Sequence, residues 1–215
     1  MYPSKKIWEA ALADRHGEAL QQKFAGATVA ICGLGGLGSN IALALARAGI
    51  GKLILLDFDR VDLTNLHRQQ YKVKQIGLYK TEALSENLRE IAPYLQIEAH
   101  VAKLTEANAA DLLKDADIVC EAFDRAEAKA MLVNSVLEKL PACYLVAASG
   151  MAGIGSANSI KTRLVTEKFY LCGDAVSAVE TSGSLLASRV MVCAAHQAHA
   201  VLCILAGRRA DQDGL

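Results

Sequence analysis

Short apolar runs alternate along this chain with segments of helical periodicity. Thr28 to Cys32 (TVAIC) is β-branched and apolar and predicts a short buried strand. Gly33 to Gly38 follows as a glycine-rich turn. Ser39 to Ala48 (SNIALALARA) is apolar with strong helix formers and predicts a helix, closed by Gly49 and Gly51. Lys52 to Phe58 (KLILLDF) predicts the next strand. Strand, glycine turn, helix and strand in that order form the βαβ unit of a parallel sheet. The alternation then continues. Helices are expected over Lys80 to Ile91 (ending before Pro93), Glu106 to Lys114 and Ala126 to Leu140. Strands are expected over Leu95 to Val101, Asp117 to Ala122 and Ala142 to Ala147.

The last third changes character. Ser156 to Phe169 predicts one or two solvent-facing antiparallel strands, Leu171 to Ser184 a polar loop, and Leu185 to Leu205 a long apolar helix. The expected fold is α/β and Rossmann-like: a mainly parallel sheet with helices on both faces and antiparallel strands in the C-terminal third. With no repeat, low-complexity tract or linker, residues 1–215 are expected to form a single domain.

Composition narrows the function classes. Hydrophobic residues make up 53% and charged residues 21%, as in a globular protein. The formal net charge is +0, so the basic excess of a nucleic-acid binder is missing. The opening residues mix Lys5, Lys6, Glu9 and Asp14 with apolar ones, unlike a signal peptide. No apolar run is expected to cross a bilayer, and the expected location is the cytoplasm. None of the six cysteines forms a Cys-x-x-Cys pair, and Cys32, Cys120 and Cys143 lie in apolar runs. Free buried thiols in a reducing compartment fit that pattern better than disulfides.

Gly33-Leu34-Gly35-Gly36-Leu37-Gly38 fits Gly-x-Gly-x-x-Gly between a strand and a helix. Without Cβ atoms, backbone N–H groups come close to a phosphate at the positive end of a helix dipole. Asp57 ends the second strand, where a carboxylate accepts hydrogen bonds from ribose hydroxyls. These features alone favour a dinucleotide. The next stretch, DFDRVDLTNLHRQQY, moves the reading to ATP. It packs Asn65, Arg68 and Gln69 into a loop beyond a strand's C-terminal end, where ligands of open α/β sheets sit. Lys80 follows Gly77, and Asp124 and Arg125 follow the strand at Asp117 to Ala122. A triphosphate needs fixed cations, here Arg68 and Lys80, and a carboxylate for Mg²⁺, here Asp124.

Together, VAICGLGGLGSNIALALARAGIGKLILLDFDRVDLTNLHRQQY, the glycine and lysine of IGLYK, and EAFDRAEAK resemble the ThiF/MoeB/HesA family, bacterial relatives of ubiquitin-activating enzymes. The short length and YLCGD (Tyr170 to Asp174) resemble its short ThiF-like branch, associated with thiamine biosynthesis. The resemblance implies ATP-dependent adenylylation of the C-terminal glycine carboxylate of a ubiquitin-like sulfur-carrier protein ending in Gly-Gly. It assigns Gly33, Gly35, Gly36 and Gly38 to the nucleotide turn, Asp57 to the ribose, and Asn65, Arg68 and Lys80 to the phosphates. Asp124 would hold Mg²⁺, with Arg125 beside it, and the chain would be a homodimer. An NAD(P)-dependent oxidoreductase and, within the family, a MoeB-like or tRNA-modifying sibling remain as alternatives.

The chain also departs from that pattern. Many relatives carry two Cys-x-x-Cys pairs for structural zinc, so no zinc of that type is expected. Cys193, His196, His199 and Cys203 repeat along one helical face and are expected to pack rather than ligate. Cys172, at the start of the polar loop, need not be buried; it is expected to be structural rather than a nucleophile linked covalently to the carrier, as in some relatives, its thiolate disfavoured by Asp174. Arg15 is the best match to the arginine that relatives place across a subunit interface.

Overall fold

The computed structural model describes residues 3–212. Two helices that the sequence pattern does not single out come first, α1 (Lys5–His16) and α2 (Glu18–Gly26). Gly17, at φ 83°, turns the chain between them. The alternating part follows: β1 (Thr28–Cys32), α3 (Gly36–Ala48), β2 (Lys52–Asp57), α4 (Lys80–Ile91), β3 (Gln96–Val101), α5 (Ala109–Leu113), β4 (Ile118–Glu121), α6 (Ala126–Lys139) and β5 (Tyr144–Ala148). The last part is β6 (Lys161–Thr166), β7 (Phe169–Gly173), α7 (Val179–Ser182) and α8 (Ala187–Ala206).

All these strands join one seven-stranded sheet in the order β3-β2-β1-β4-β5-β7-β6. Every neighbouring pair is parallel except β6 with β7. The expected Rossmann-like sheet with an antiparallel element near its C-terminal end is therefore present. From β1 the chain winds outward through β2 to β3, then returns to place β4 on β1's other side. That reversal opens a crevice at the C-terminal ends of β1 and β4, the usual ligand position in such sheets.

The inner strands β1, β2, β4 and β5 are buried on both faces, as their continuous apolar runs require, whereas the edge strands β3 and β6 stay partly exposed. Along β1, Val29 and Ile31 pack into the core under α3 and α8, whereas Ala30 and Cys32 pack toward α5 and α6. All six cysteines are free and only Cys203 is partly exposed.

Several boundaries differ from expectation. Helix α3 begins at Gly36, inside the glycine run, with Gly35 as its N-cap. The turn and the helix N-terminus are thus one feature. Helix α5 is shorter than expected, because the Asn108 side chain accepts from the Thr105 N–H and ties the preceding residues into a turn. The expected polar loop is not all loop: β7 runs through Leu171 to Gly173, and α7 forms a single turn beyond it. Cys172 is consequently fully buried on β7, not accessible.

Helix α8 corrects a further expectation. It is long and apolar enough, by composition, to cross a membrane. Here it packs on α3, α2 and strands β5, β6 and β7, and its single charged residue, Arg189, is buried in an ion pair. That is the packing of a core helix. It also covers much of the helix's apolar length within the chain, although Met191 stays 49% exposed.

Candidate active site

The crevice between the ends of β1 and β4 opens into a cavity of about 670 Å³. Gly33, Gly35, Gly36, Asp57, Asn65, Arg68, Lys80, Asp124 and Arg125 all line it. Gly38 does not. A Cβ at Gly38 would stand 1.8 Å from the Gly33 carbonyl oxygen, so this glycine lets α3 cross close to the turn. Gly33 sits at φ 91° against the Ala122 carbonyl. Gly35 is different: its nearest neighbour to a built Cβ is Gln69 Nε2 at 3.7 Å. Packing does not demand a glycine there; it lines the cavity as the N-cap of α3, whose first-turn N–H groups lack intrahelical acceptors.

Asp57 ends β2 with its carboxylate almost buried. Oδ2 accepts from the Leu34 N–H at 2.6 Å and Oδ1 from the Asp59 N–H at 2.8 Å. Burial pushes this carboxyl above its usual value, while the Lys80 ammonium and the two N–H donors pull it down. Lys80 is the first residue of α4. Its ammonium donates to Asp59 Oδ2 at 2.8 Å and lies 3.9 Å from Asp57 Oδ2. Its backbone N–H donates to the Asp59 carbonyl, and Gly77, at φ 89°, turns the chain so that Val61 pairs with both Gly77 and Leu78.

The loop carrying Asn65 and Arg68 is tied to α3. Ser39 Oγ accepts from the Gln70 N–H at 3.1 Å, Asn40 donates to the Arg68 carbonyl, and Tyr71 donates its hydroxyl to the Leu34 carbonyl at 2.6 Å. Burial lowers the Arg68 guanidinium from its usual value, and Asp124 acts in the opposite direction. Gln69 is buried with its Oε1 unpartnered at the cavity wall. Asp124 is exposed just before α6 and, among the described residues, makes no hydrogen bond or ion pair. A free carboxylate, two guanidinium or ammonium groups and a bare helix N-terminus fit a nucleotide phosphate chain with one divalent cation. Among the described residues no group of three or more His, Cys, Asp or Glu stands together as a metal centre.

The sequence reading missed a second ion pair. Glu121, the last residue of β4, is buried, and Lys129 from α6 donates to both its oxygens at 3.0 Å and to the Ala148 carbonyl at 3.0 Å. Burial raises the Glu121 carboxyl, opposed by Lys129. A glutamate closing an otherwise apolar strand (DIVCEA) was the available signal. Arg15 lies exposed on α1 and does not line the cavity.

Cys172 Sγ lies 3.6 Å from Thr162 Oγ1, which in turn lies 2.9 Å from His196 Nδ1. Burial pushes the Cys172 thiol up to about 11, with Thr162 and Arg163 pulling the other way. The expected weak acidity is present, but burial causes it rather than Asp174.

Comparison with solved structures gives E. coli tRNA N6-threonylcarbamoyladenosine dehydratase, TcdA, in complex with AMP, at 25% identity and a TM-score of 0.79 over 97% of this chain and 100% of that one. The ATP complex of the same protein shares the fold at 24% identity and a TM-score of 0.79, covering 96% and 99% of the two chains. Among curated proteins, adenylyltransferase and sulfurtransferase MOCS3 of Anopheles gambiae is 42% identical over 113 residues, 52% of this chain and 26% of that protein. Ubiquitin-like modifier-activating enzyme 5 of Caenorhabditis briggsae is 41% identical over 118 residues, 50% of this chain and 27% of that protein. The matched stretch thus spans about a quarter of those curated relatives. A model of the ThiF family matches residues 9–213, and the chain, with its glycine turn and charged crevice, belongs to the ThiF family.

Proposed function

We propose that this chain transfers AMP from ATP to a substrate carboxylate, and that the carboxylate is the C-terminal glycine of a small ubiquitin-like sulfur carrier, as in thiamine biosynthesis. The observation that carries the reading is the convergence of the Gly35–Gly36 turn, Asp57, Arg68, Lys80 and Asp124 on one cavity at the switch point of the sheet. Relatives named as an adenylyltransferase and as a ubiquitin-like modifier-activating enzyme, and a neighbour solved with ATP and AMP, support it.

In this reading the first turn of α3 receives phosphate and Asp57 accepts from the ribose hydroxyls. A carboxylate oxygen of the substrate attacks the α-phosphorus. The bond to the bridging oxygen breaks, and pyrophosphate leaves with the electron pair. The protein supplies no nucleophile. Arg68 and Lys80 neutralise charge that grows on the phosphate oxygens, and Asn65 orients them. Asp124 would hold a magnesium ion, which when bound neutralises further phosphate charge. Lys80 sits between Asp57 and Asp59 before the nucleotide arrives.

A second copy of the chain and a reducing, ATP-containing cytoplasm belong to the same reading. The six free cysteines and the exposed Met191 on α8 support it. Sedimentation at micromolar concentration tests the dimer.

A second reading has its own observation. The likeness to TcdA extends over 97% of this chain and 100% of that one, so a carboxylate carried on tRNA is the alternative substrate. One experiment separates the two. Pyrophosphate–ATP exchange is measured with a Gly-Gly carrier or with tRNA, and products are weighed for added AMP. Exchange supported by the carrier and not by tRNA is expected; the reverse result, or exchange with neither, overturns the proposal.

A further inference from the structure

The cavity extends beyond the elements that would hold a nucleotide. Glycine turn, Asp57 and Lys80 follow or flank β1 and β2. On the far side of β4 the wall is built by Ser149–Ala152 after β5 and Ser177–Glu180 after β7. One buried ion pair holds that wall in place. Asp174 accepts at Oδ1 from the N–H groups of Val176 (3.0 Å) and Ser177 (2.9 Å), and at Oδ2 from the Ser177 hydroxyl (2.7 Å). Arg189 of α8 donates to the same Oδ2 at 2.6 Å, to the Ser156 carbonyl at 2.6 Å, and to the Met151 carbonyl at 3.4 Å. The two side chains are only 5% and 8% exposed.

The backbone shows that this contact sets the shape of the loop. Ala175 is the single non-glycine described at positive φ, 64°, a conformation that persists only where its surroundings enforce it. Its N–H donates to the Ser149 carbonyl, and the Asp174 N–H donates to the Gly150 carbonyl. A Cβ at Gly150 (φ 82°) would stand 2.1 Å from Asp174 Oδ1. The two loops are thus clasped to each other, and Arg189 bridges them to α8. Nothing in the proposed chemistry uses this pair, although a buried ion pair is costly to desolvate.

We propose that Asp174 and Arg189 are positioning residues for the acyl substrate: they fix the wall that receives the carboxylate-bearing chain end, independently of the nucleotide half. This rests on the adenylylation reading above. The segments that build this wall also carry exposed apolar side chains, Ile154 (90%), Val176 (82%) and Val179 (50%), suited to an extended protein segment.

The test compares the full-length chain with Asp174→Asn and with the milder Ser177→Ala, which removes one contact and leaves the ion pair. Amide exchange without substrate should rise at least tenfold at Val176 and Ser177 in Asp174→Asn and remain unchanged in β1 and α3. ATP titration should give the same affinity within twofold. In pyrophosphate exchange with a Gly-Gly carrier, the half-saturating carrier concentration should rise at least tenfold in Asp174→Asn and less in Ser177→Ala, with turnover at saturation within threefold. Unchanged amide exchange in the loop, or ATP affinity falling in parallel with carrier affinity, overturns the inference. No carrier-dependent exchange in the unmodified chain overturns the carrier reading instead, and the amide measurement still decides whether the pair orders this wall.

Discussion

Lys129 reaches from α6 to chelate both carboxylate oxygens of buried Glu121 at 3.0 Å, and so pins the end of β4 next to the loop that carries Asp124. The same ammonium donates to the Ala148 carbonyl at the end of β5. Two strand ends bordering the crevice are therefore fixed by one cation.

Lys129→Met leaves the Glu121 carboxylate buried without its partner, which costs about 3 kcal/mol. Urea unfolding should show that loss, and Glu121→Gln in the same chain should recover part of it. A midpoint unchanged by Lys129→Met would show that Glu121 is protonated or solvated.

Asp124→Ala should leave stability within about 0.5 kcal/mol, because the side chain is exposed and unpartnered. Carrier-dependent pyrophosphate exchange should nonetheless fall on the order of 10²–10³-fold, the usual effect of deleting one preorganised electrostatic group. Exchange near the unmodified rate at saturating magnesium would assign the metal to another residue.

Two glycines of one turn should respond in opposite ways. Gly38→Ala places a Cβ 1.8 Å from the Gly33 carbonyl oxygen and should destabilise the fold by at least about 1–3 kcal/mol. Gly35→Ala meets nothing closer than 3.7 Å and should fold normally. It should still weaken ATP about tenfold or more by obstructing a charge-assisted N–H contact. Calorimetric titration with ATP and thermal unfolding of both variants separate the two effects.

Asp174 should confer an acid-labile increment of stability. Burial raises its pKa, but Ser177, Val176 and Arg189 together outweigh that and hold it at about 2 against an ordinary 3.8. A depressed carboxyl stabilises above its unfolded value and loses that contribution as pH falls toward its folded value. The stability gap between the unmodified chain and Asp174→Asn should therefore narrow below pH 5, by about 1 kcal/mol at pH 3. Urea melts at pH 5, 4 and 3 measure it; a constant gap would place the Asp174 carboxyl at its ordinary value.

Cys172 should be silent in adenylylation and slow toward thiol reagents. It is fully buried with a thiol at about 11, whereas Cys203 alone among the six is partly exposed. Mass mapping after brief alkylation of the folded chain should find Cys203 labelled first. Early labelling of Cys172, or lost adenylylation in a folded Cys172→Ser variant, would reopen a direct role for that thiol.

The pattern of apolar runs, the glycine turn, the charged DFDRVDLTNLHRQQY segment, Lys80 and the Asp124-Arg125 pair determined the parallel sheet, the position of the crevice and ten of its lining residues, because each lies within a single strand–loop–helix unit. Local chemistry decides such features: a chain passing from strand to helix through glycine has few other conformations. Tertiary structure alone decided the rest. Glu121 with Lys129 and Asp174 with Arg189 pair across separate elements, so neither partner marks the other in the sequence. The burial of Cys172 followed from β7 extending into a stretch that reads as polar loop. Its inner-strand position, between β5 and β6, set the thiol's environment more strongly than its sequence neighbours Gly173 and Asp174. Gly38 divided from Gly35 for the same reason: both belong to one motif, but only the approach of α3 to Gly33 reveals that one glycine serves packing while the other leaves backbone open to the cavity.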